Sequence, residues 1–237
     1  MKLIHVFSLA FLFLSVSVIF GQSNAEYFNY IDTAVNNLNN TIRVNNSSSV
    51  VELSSVDGSP YENELFSLGK AINKLSKKSN PFYLRYNIYN DVIEIDDSKS
   101  IYGLIKSLNI YAIINNQEYH YEIYSVDNSS TDEGYFILLS KGTNSNLYLK
   151  KTKKLKEKVE SKDSYHKETP ASFVDLKSYF IKKDRILLPI SKKKKEFLLQ
   201  FPEKENELKK YLKAEKINLK SEKDVVKLFT YYDSLLK

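Results

Sequence analysis

The strongest periodic signal in the chain lies near its end, where Val225, Leu228, Phe229, Tyr232, Leu235 and Leu236 recur at intervals of three and four. That spacing lays apolar side chains along one face of a helix. Ser221-Glu222-Lys223-Asp224 stands before the run like a capping box with Asp in place of the usual Glu. Upstream, Pro202 can open another helix with Leu208, Tyr211 and Leu212 on one face, and Ser191 can cap a shorter one carrying Phe197, Leu198 and Phe201. The stretch 214–220 is long enough for the chain to reverse. The last two helices are therefore expected to pack on each other and on the end of whatever precedes them, with lysines outward.

Further upstream the pattern shortens to alternation. Phe82, Leu84, Tyr86 and Ile88 interleave with Tyr83, Arg85, Asn87 and Tyr89, and Val92-Ile93-Glu94-Ile95-Asp96 follows Asn90-Asp91. Asn and Asp accept positive φ, so this pair is expected to turn a two-residue hairpin. Ile88 would then face Ile93, Tyr86 would face Ile95, and Arg85 would face Asp96. A second hairpin around Asn116-Gln117 would pair Ile114 with Tyr119, Ala112 with Tyr121 and Ile110 with Ile123. Residues 127–133 read as a polar loop. The unbroken apolar run 134–139 suits a strand buried on both faces, and 147–155 alternates again. Short strands at 178–181 and 185–188 are expected to turn at Lys183-Asp184. Residues 50–53 look like a strand before the Asp57-Gly58 turn, and 68–78 fits either helix or strand.

Sequential strands with short turns pair antiparallel by default. The expected fold class is α+β: an antiparallel β-rich body, residues 50–190, followed by a C-terminal helical unit, residues 191–237. The alternative is two separable domains joined near 161–170. In front stand a polar N-terminal segment, 26–49, with a weak helical pattern at Tyr27, Ile31, Val35 and Leu38, and a leader, 1–25. The leader carries Lys2, an uncharged apolar run over 6–20, and small residues at Gly21, Ser23 and Ala25. That is the order of a secretory signal peptide cleaved after Gly21 or Ala25. The apolar run is too short for the roughly 20 residues of a spanning helix. The mature protein is expected outside the cytoplasm, secreted or periplasmic, with the outer membrane as one place of attachment.

Composition narrows the chemistry. The chain has no cysteine, which excludes disulfides, thiolate nucleophiles and thiolate metal sites. Residues 1–149 carry 10 Lys+Arg against 15 Asp+Glu, whereas 150–237 carry 25 against 14. A lysine-rich C-terminal part of this kind is the surface that would meet an envelope protein or a polyanion. Solvated helix faces that use lysine under AT-rich codon drift are the favoured reading. Nucleic acid is not expected as a partner, because arginine forks are missing: only Arg43, Arg85 and Arg185 occur.

The chemical inventory is thin. His120 sits in Glu118-Tyr119-His120-Tyr121-Glu122, where His and Glu could form an acid/base site. A surface imidazole on a solvated sheet face is the favoured reading. His166 lies in a polar stretch without an obvious partner. Glu94, Asp96 and Asp97 are the densest carboxylates and are expected to make cross-strand pairs with Arg85. The segment 127–134 resembles a calcium loop but lacks glycine at its sixth position. The 18 tyrosines and 13 phenylalanines come without tryptophan, so packing is favoured over sugar stacking. No catalytic, cofactor-binding or metal-ligating residue is nominated, and no cofactor is implied.

Gly58-Ser59-Pro60-Tyr61, the run 84–94, Tyr179-Phe180-Ile181 and the lysine-rich tail ending Tyr231-Tyr232-Asp233-Ser234-Leu235 resemble a group of exported proteins of Bacteroidetes-type bacteria. The resemblance implies export and a bacterial source, and no activity or site. The sequence therefore points to an exported, envelope-associated binding or structural protein. An envelope hydrolase using a carboxylate or His120 is the alternative.

Overall fold

A computed structural model describes residues 56–125, 130–160 and 168–236. The expected leader, the N-terminal helical pattern, the strand at 50–53 and His166 lie outside them. The described residues belong to one compact unit within Val51–Lys237. Ten strands form a single sheet: β1 (Ser67–Asn73), β2 (Ser79–Asn87), β3 (Val92–Asp96), β4 (Ile101–Gly103), β5 (Ile110–Ile114), β6 (Gln117–Ser125), β7 (Thr131–Lys141), β8 (Asn146–Lys156), β9 (Ser172–Lys183) and β10 (Ile186–Pro189). Their spatial order is β10-β9-β8-β7-β6-β5-β1-β2-β3-β4, and every ladder is antiparallel. Three short helices follow: α1 (Lys194–Leu199), α2 (Glu205–Ala214) and α3 (Glu222–Ser234), with a 3-10 turn at Pro202–Lys204. Among the described residues no helix is long and apolar enough to cross a membrane.

The sheet rolls up. Asp57 bridges Ser172 of β9 while Tyr61 bridges Asn87 of β2, although five strands separate β9 from β2 in the sheet order. The strap 57–61 is fixed by amide–carbonyl bonds on both sides, Asp57 N to Ala171 O at 2.8 Å and Ile88 N to Pro60 O at 2.9 Å. Gly58 takes φ +87 in it, a conformation that favours glycine. One face of the rolled sheet carries Leu84, Tyr86, Tyr119, Tyr135, Ile137, Leu149 and Tyr179, and the helices pack into it with Phe197, Leu208, Val225 and Leu228. The other face buries Phe136, Tyr148, Phe180 and Leu187. It is covered because β10 curls to within 8 Å, Cα to Cα, of β6. In a flat sheet the three strands between them would hold the two about 19 Å apart.

Both hairpin registers differ from the expected ones by two residues. Tyr86 faces Ile93 and Arg85 faces Glu94; Ala112 faces Tyr119 and Ile114 faces Gln117. A slip of two keeps every side chain on its own face, so the alternation holds while the pairing changes. In the second hairpin the turn is Asn115-Asn116, with φ of 50° and 64°, a pair of left-handed residues that a Gln at the second position would disfavour. In the first, residues 88–91 loop out. Pro60 O takes the amides of Ile88 and Tyr89, Asn87 Oδ1 accepts from Asn90 N at 3.1 Å, and Asp91 adopts φ 51°. Likewise β9 to β10 turns at Asp184-Arg185, φ 50° and 71°, one residue later than expected. Strand β7 starts at Thr131, inside the expected polar loop, and β9 extends back to Ser172.

Strand β7 changes partners halfway. It pairs with β6 over 131–137 but with β8 only from Ile137 onward, while β8 continues beside β9. The carboxylate of Asp91, from the β2–β3 turn, enters this split. It accepts from Tyr135 N at 3.2 Å, from the Tyr86 hydroxyl at 2.6 Å and from Lys150 Nζ at 3.1 Å. Lys150 Nζ also lies 4.8 Å from the centre of the Phe136 ring. Gly134 makes room: a Cβ there would stand 2.0 Å from Asp91 Oδ2 and 2.2 Å from Lys150 Nζ.

The helical tail is held by one carboxylate. Asp233 of α3 accepts from the amides of Thr143, Asn144 and Ser145 at 2.7, 3.1 and 2.9 Å, and from Ser145 Oγ at 2.8 Å. Burial alone would raise its pKa, but these bonds outweigh it and hold the carboxyl below its ordinary value. Ser221 caps α3 by accepting from Asp224 N. The capping box is not reciprocal, because the Asp224 carboxylate accepts from Asn218 N at 3.0 Å. Tyr211 and Tyr231 stack between α2 and α3 at 4.0 Å.

Two outcomes follow from this packing. Leu228 is 2% exposed, so Leu228→Ala should cost roughly 2–5 kcal/mol in urea melts, as for a buried leucine. Gly134→Ala should cost about 2 kcal/mol or more through overpacking. Its cost should shrink in an Asp91→Ala background, a non-additivity read from a double-mutant cycle.

Candidate functional site

Three groups of residues have the chemistry for a site. The first is the acidic hairpin. Arg85 Nε donates to Glu94 Oε2 at 2.7 Å, and its guanidinium lies between the rings of Tyr61, 3.8 Å from the centroid, and Phe66, at 4.3 Å. Asn87 Nδ2 donates to the other Glu94 oxygen at 3.1 Å. Asp96 and Asp97 do not join this group, because their carboxylates cap the following turn. Asp96 accepts from Ser98 N, and Asp97 accepts from Lys99 N and Ser100 N. The backbone bond from Ser100, then that from Lys99, lowers the Asp97 carboxyl. Arg85 therefore pairs with Glu94 and not with Asp96, as the register requires.

The second group surrounds His120. The imidazole is buried, not on a solvated face, because β10 and the β7–β9 aromatics cover this side of β6. His120 stacks on Tyr111, ring centres 4.9 Å apart and nearly parallel. It meets Tyr148 edge-on at 5.7 Å, and its Nε2 is 3.0 Å from Glu118 Oε2. Glu122, on the same face, is buried and ion-paired with Lys182 of β9. Lys74 Nζ donates to Leu108 O at 2.7 Å. Burial lowers the His120 pKa most, against the bond to Glu118, which raises it. Burial likewise lowers that of Lys74, partly offset by Glu122. The alternation marked this face but gave no sign that a curled edge strand covers it.

The third group was not visible in the sequence. Tyr61, Glu62, Ile88, Lys151, Lys153, Asp175, Leu176 and Lys177 line a concavity of about 140 Å³ between the strap and the extended end of β8 and β9. Lys151 is paired with Glu62, and Lys153 Nζ lies 3.0 Å from Asp175 Oδ1. Glu62 Oε2 is buried and has no hydrogen-bond partner among the described residues. A larger, open concavity of about 450 Å³ lies beside Gly142, Thr143, Phe229 and Asp233, where Asp233 is already committed to the β7–β8 turn. Among the described residues no three His, Asp or Glu side chains come together as a metal-ligand set. Comparisons with protein-family models, with curated proteins and with solved structures find no match for this chain.

The His120 geometry gives a signed pH dependence. Its folded pKa lies below the unfolded value, so the unfolded chain takes up the proton first as pH falls. This contribution is fully present above about pH 6.5 and is lost as pH drops toward the folded pKa. Glu118 and Glu122 of β6, Lys74 of the β1–β2 turn and Lys182 of β9 are the charged groups around the ring. His120→Phe keeps an aromatic on Tyr111 and removes the titration. Urea midpoints measured from pH 8 to 5 should fall for the native chain and stay flatter for the variant in the upper part of that range.

Proposed function

We propose that this protein is an exported, non-catalytic binding or structural protein of a bacterial cell envelope, secreted or periplasmic, with attachment at the outer membrane as one form of it. The observation that carries the reading is the consumption of the gathered charges by internal contacts. Glu94 is held by Arg85 and Asn87, Asp91 by Tyr86, Tyr135 N and Lys150, Glu122 by Lys182, and Asp233 by three amides and a hydroxyl. A general acid or base needs a proton or lone pair turned toward a substrate, and these groups turn theirs inward. The leader pattern and the resemblance to exported Bacteroidetes-type proteins support the compartment. The lysine-rich C-terminal part is the surface offered to an envelope protein or polyanion.

One observation favours a second reading, an envelope hydrolase built on His120. The ring is buried beside Glu118 with its pKa displaced, as catalytic groups often are. Fractionation of cells making the full chain should find the mature protein outside the cytoplasm, with a new N-terminus at Gln22 or Glu26; a cytoplasmic, uncleaved product sinks the export reading. A broad hydrolase screen of the purified chain should give no turnover above the His120→Ala background. Turnover abolished by that substitution would replace the first reading by the second.

A further inference from the structure

We infer that the concavity between the strap and the β8–β9 extension is a binding site for a small anionic group, a carboxylate or a phosphate. The inference rests on the reading of the protein as a binding module, though not on its place of export. Three ammonium-bearing side chains, Lys151, Lys153 and Lys177, line a space of about 140 Å³ together with two carboxylates, Glu62 and Asp175. That volume suits one such group and not an extended polyanion.

The three lysines differ in what they can offer. Lys151 is committed to Glu62, and both side chains are largely buried, 16% and 20% exposed. Lys153 is only 10% exposed, but its partner Asp175 is 69% exposed. An exposed carboxylate in such a pair contributes little net energy, so Asp175 can rotate into water and yield its place to an incoming anion. Lys177 is exposed, and while its carbonyl accepts from Lys192 Nζ, its own ammonium makes no hydrogen bond or ion pair among the described residues. It pairs with Lys151 across the β8–β9 ladder, and Lys153 with Asp175, so all of these side chains leave the same face of the two strands.

The walls complete the site. Ile88 and Tyr61 are also among the lining residues, and apolar walls reduce the solvent screening of the two available ammonium groups. Tyr61 is fixed by its contact with Arg85, whose Nη2 donates to the Tyr61 hydroxyl at 2.9 Å. The ligand class therefore has one anionic head that accepts hydrogen bonds from Lys153 and Lys177, with room for a small apolar continuation toward Ile88 and the Tyr61 ring.

The test is an amide NMR titration of the purified chain with sodium acetate and, separately, sodium phosphate, at constant ionic strength set by sodium chloride. The expected result is saturable shift changes confined to Tyr61, Lys151, Lys153, Asp175 and Lys177 in at least one arm. The arm that saturates at the lower concentration names the head group. Lys177→Gln removes the unpaired ammonium and leaves both ion pairs in place. It should weaken binding about tenfold or more, the effect of one charge-assisted hydrogen bond, with an unchanged melting temperature. Linear, unsaturated shifts spread over lysines throughout the chain in both arms would overturn the inference. So would saturable binding that Lys177→Gln and Lys153→Gln both leave intact.

Discussion

The arrangement turns on one backbone amide. Where β7 leaves β8, Tyr135 N has no strand to donate to, and a buried unpaired amide costs free energy comparable to a lost hydrogen bond. The carboxylate of Asp91 supplies the acceptor. A buried carboxylate is itself expensive unless it is paired and hydrogen-bonded, which is the role of Lys150 and of the Tyr86 hydroxyl. Tyr86 is in turn raised in pKa by burial first and by the Asp91 charge next, so it stays a donor. Each further feature follows from that demand. Position 134 must lack a Cβ. Asp91 must sit at positive φ. The β2–β3 turn must be long enough to reach across, and the strap must take up the amides the longer turn leaves over.

This explains what the sequence could and could not reveal. Alternation has period two, so it assigned faces correctly: Leu84, Tyr86, Ile88 and Ile93 are all buried. A register displaced by two residues has the same alternation, so no count of apolar positions separates the expected pairing from the observed one. Only turn chemistry distinguishes them. At Asn115-Asn116 that chemistry lies in the sequence itself, since two asparagines accept positive φ better than Asn followed by Gln. At 88–91 it does not, because the turn answers to Tyr135 and Pro60, residues 44 and 28 positions from Asp91 and Ile88. The helical stripe was more legible. Its period is local, and Val225, Leu228, Phe229 and Tyr232 are buried together with the sheet.

His120 marks the limit of the same logic from the other side. On a two-faced sheet with one solvated face, an alternating His-Glu-Tyr row belongs outside. Strands β6 to β9 instead bury both faces, with Tyr119, Tyr121, Tyr135 and Ile137 on one and Phe136, Tyr148 and Phe180 on the other. The cover is provided by β10, whose four residues end in Pro189. Its curl toward β6 is a tertiary fact without a local sequence mark. The polar residues caught underneath had to be paired for that reason, Glu122 with Lys182 and His120 with Glu118.

The charge asymmetry takes on a different meaning in the folded chain. An acidic front and a lysine-rich back suggest a basic patch for a partner or lysines spent on solvated helices. The buried and half-buried pairs add a third answer. Asp91, Glu62 and Glu122 come from the acidic part, and Lys150, Lys151 and Lys182, which meet them, come from the basic part. These pairs join residues 59, 89 and 60 positions apart, and they fall where the rolled sheet brings its two halves together. Opposite charge on the two halves favours this closure over a rolled sheet whose faces repel. The same accounting separates structural lysines from available ones. Lys150, Lys151 and Lys182 are matched by carboxylates that are themselves mostly buried. Lys153 is matched by an exposed Asp175, and Lys177 by no described group. Unmatched charge next to a concavity is the part of this pairing scheme that the proposed anion would use.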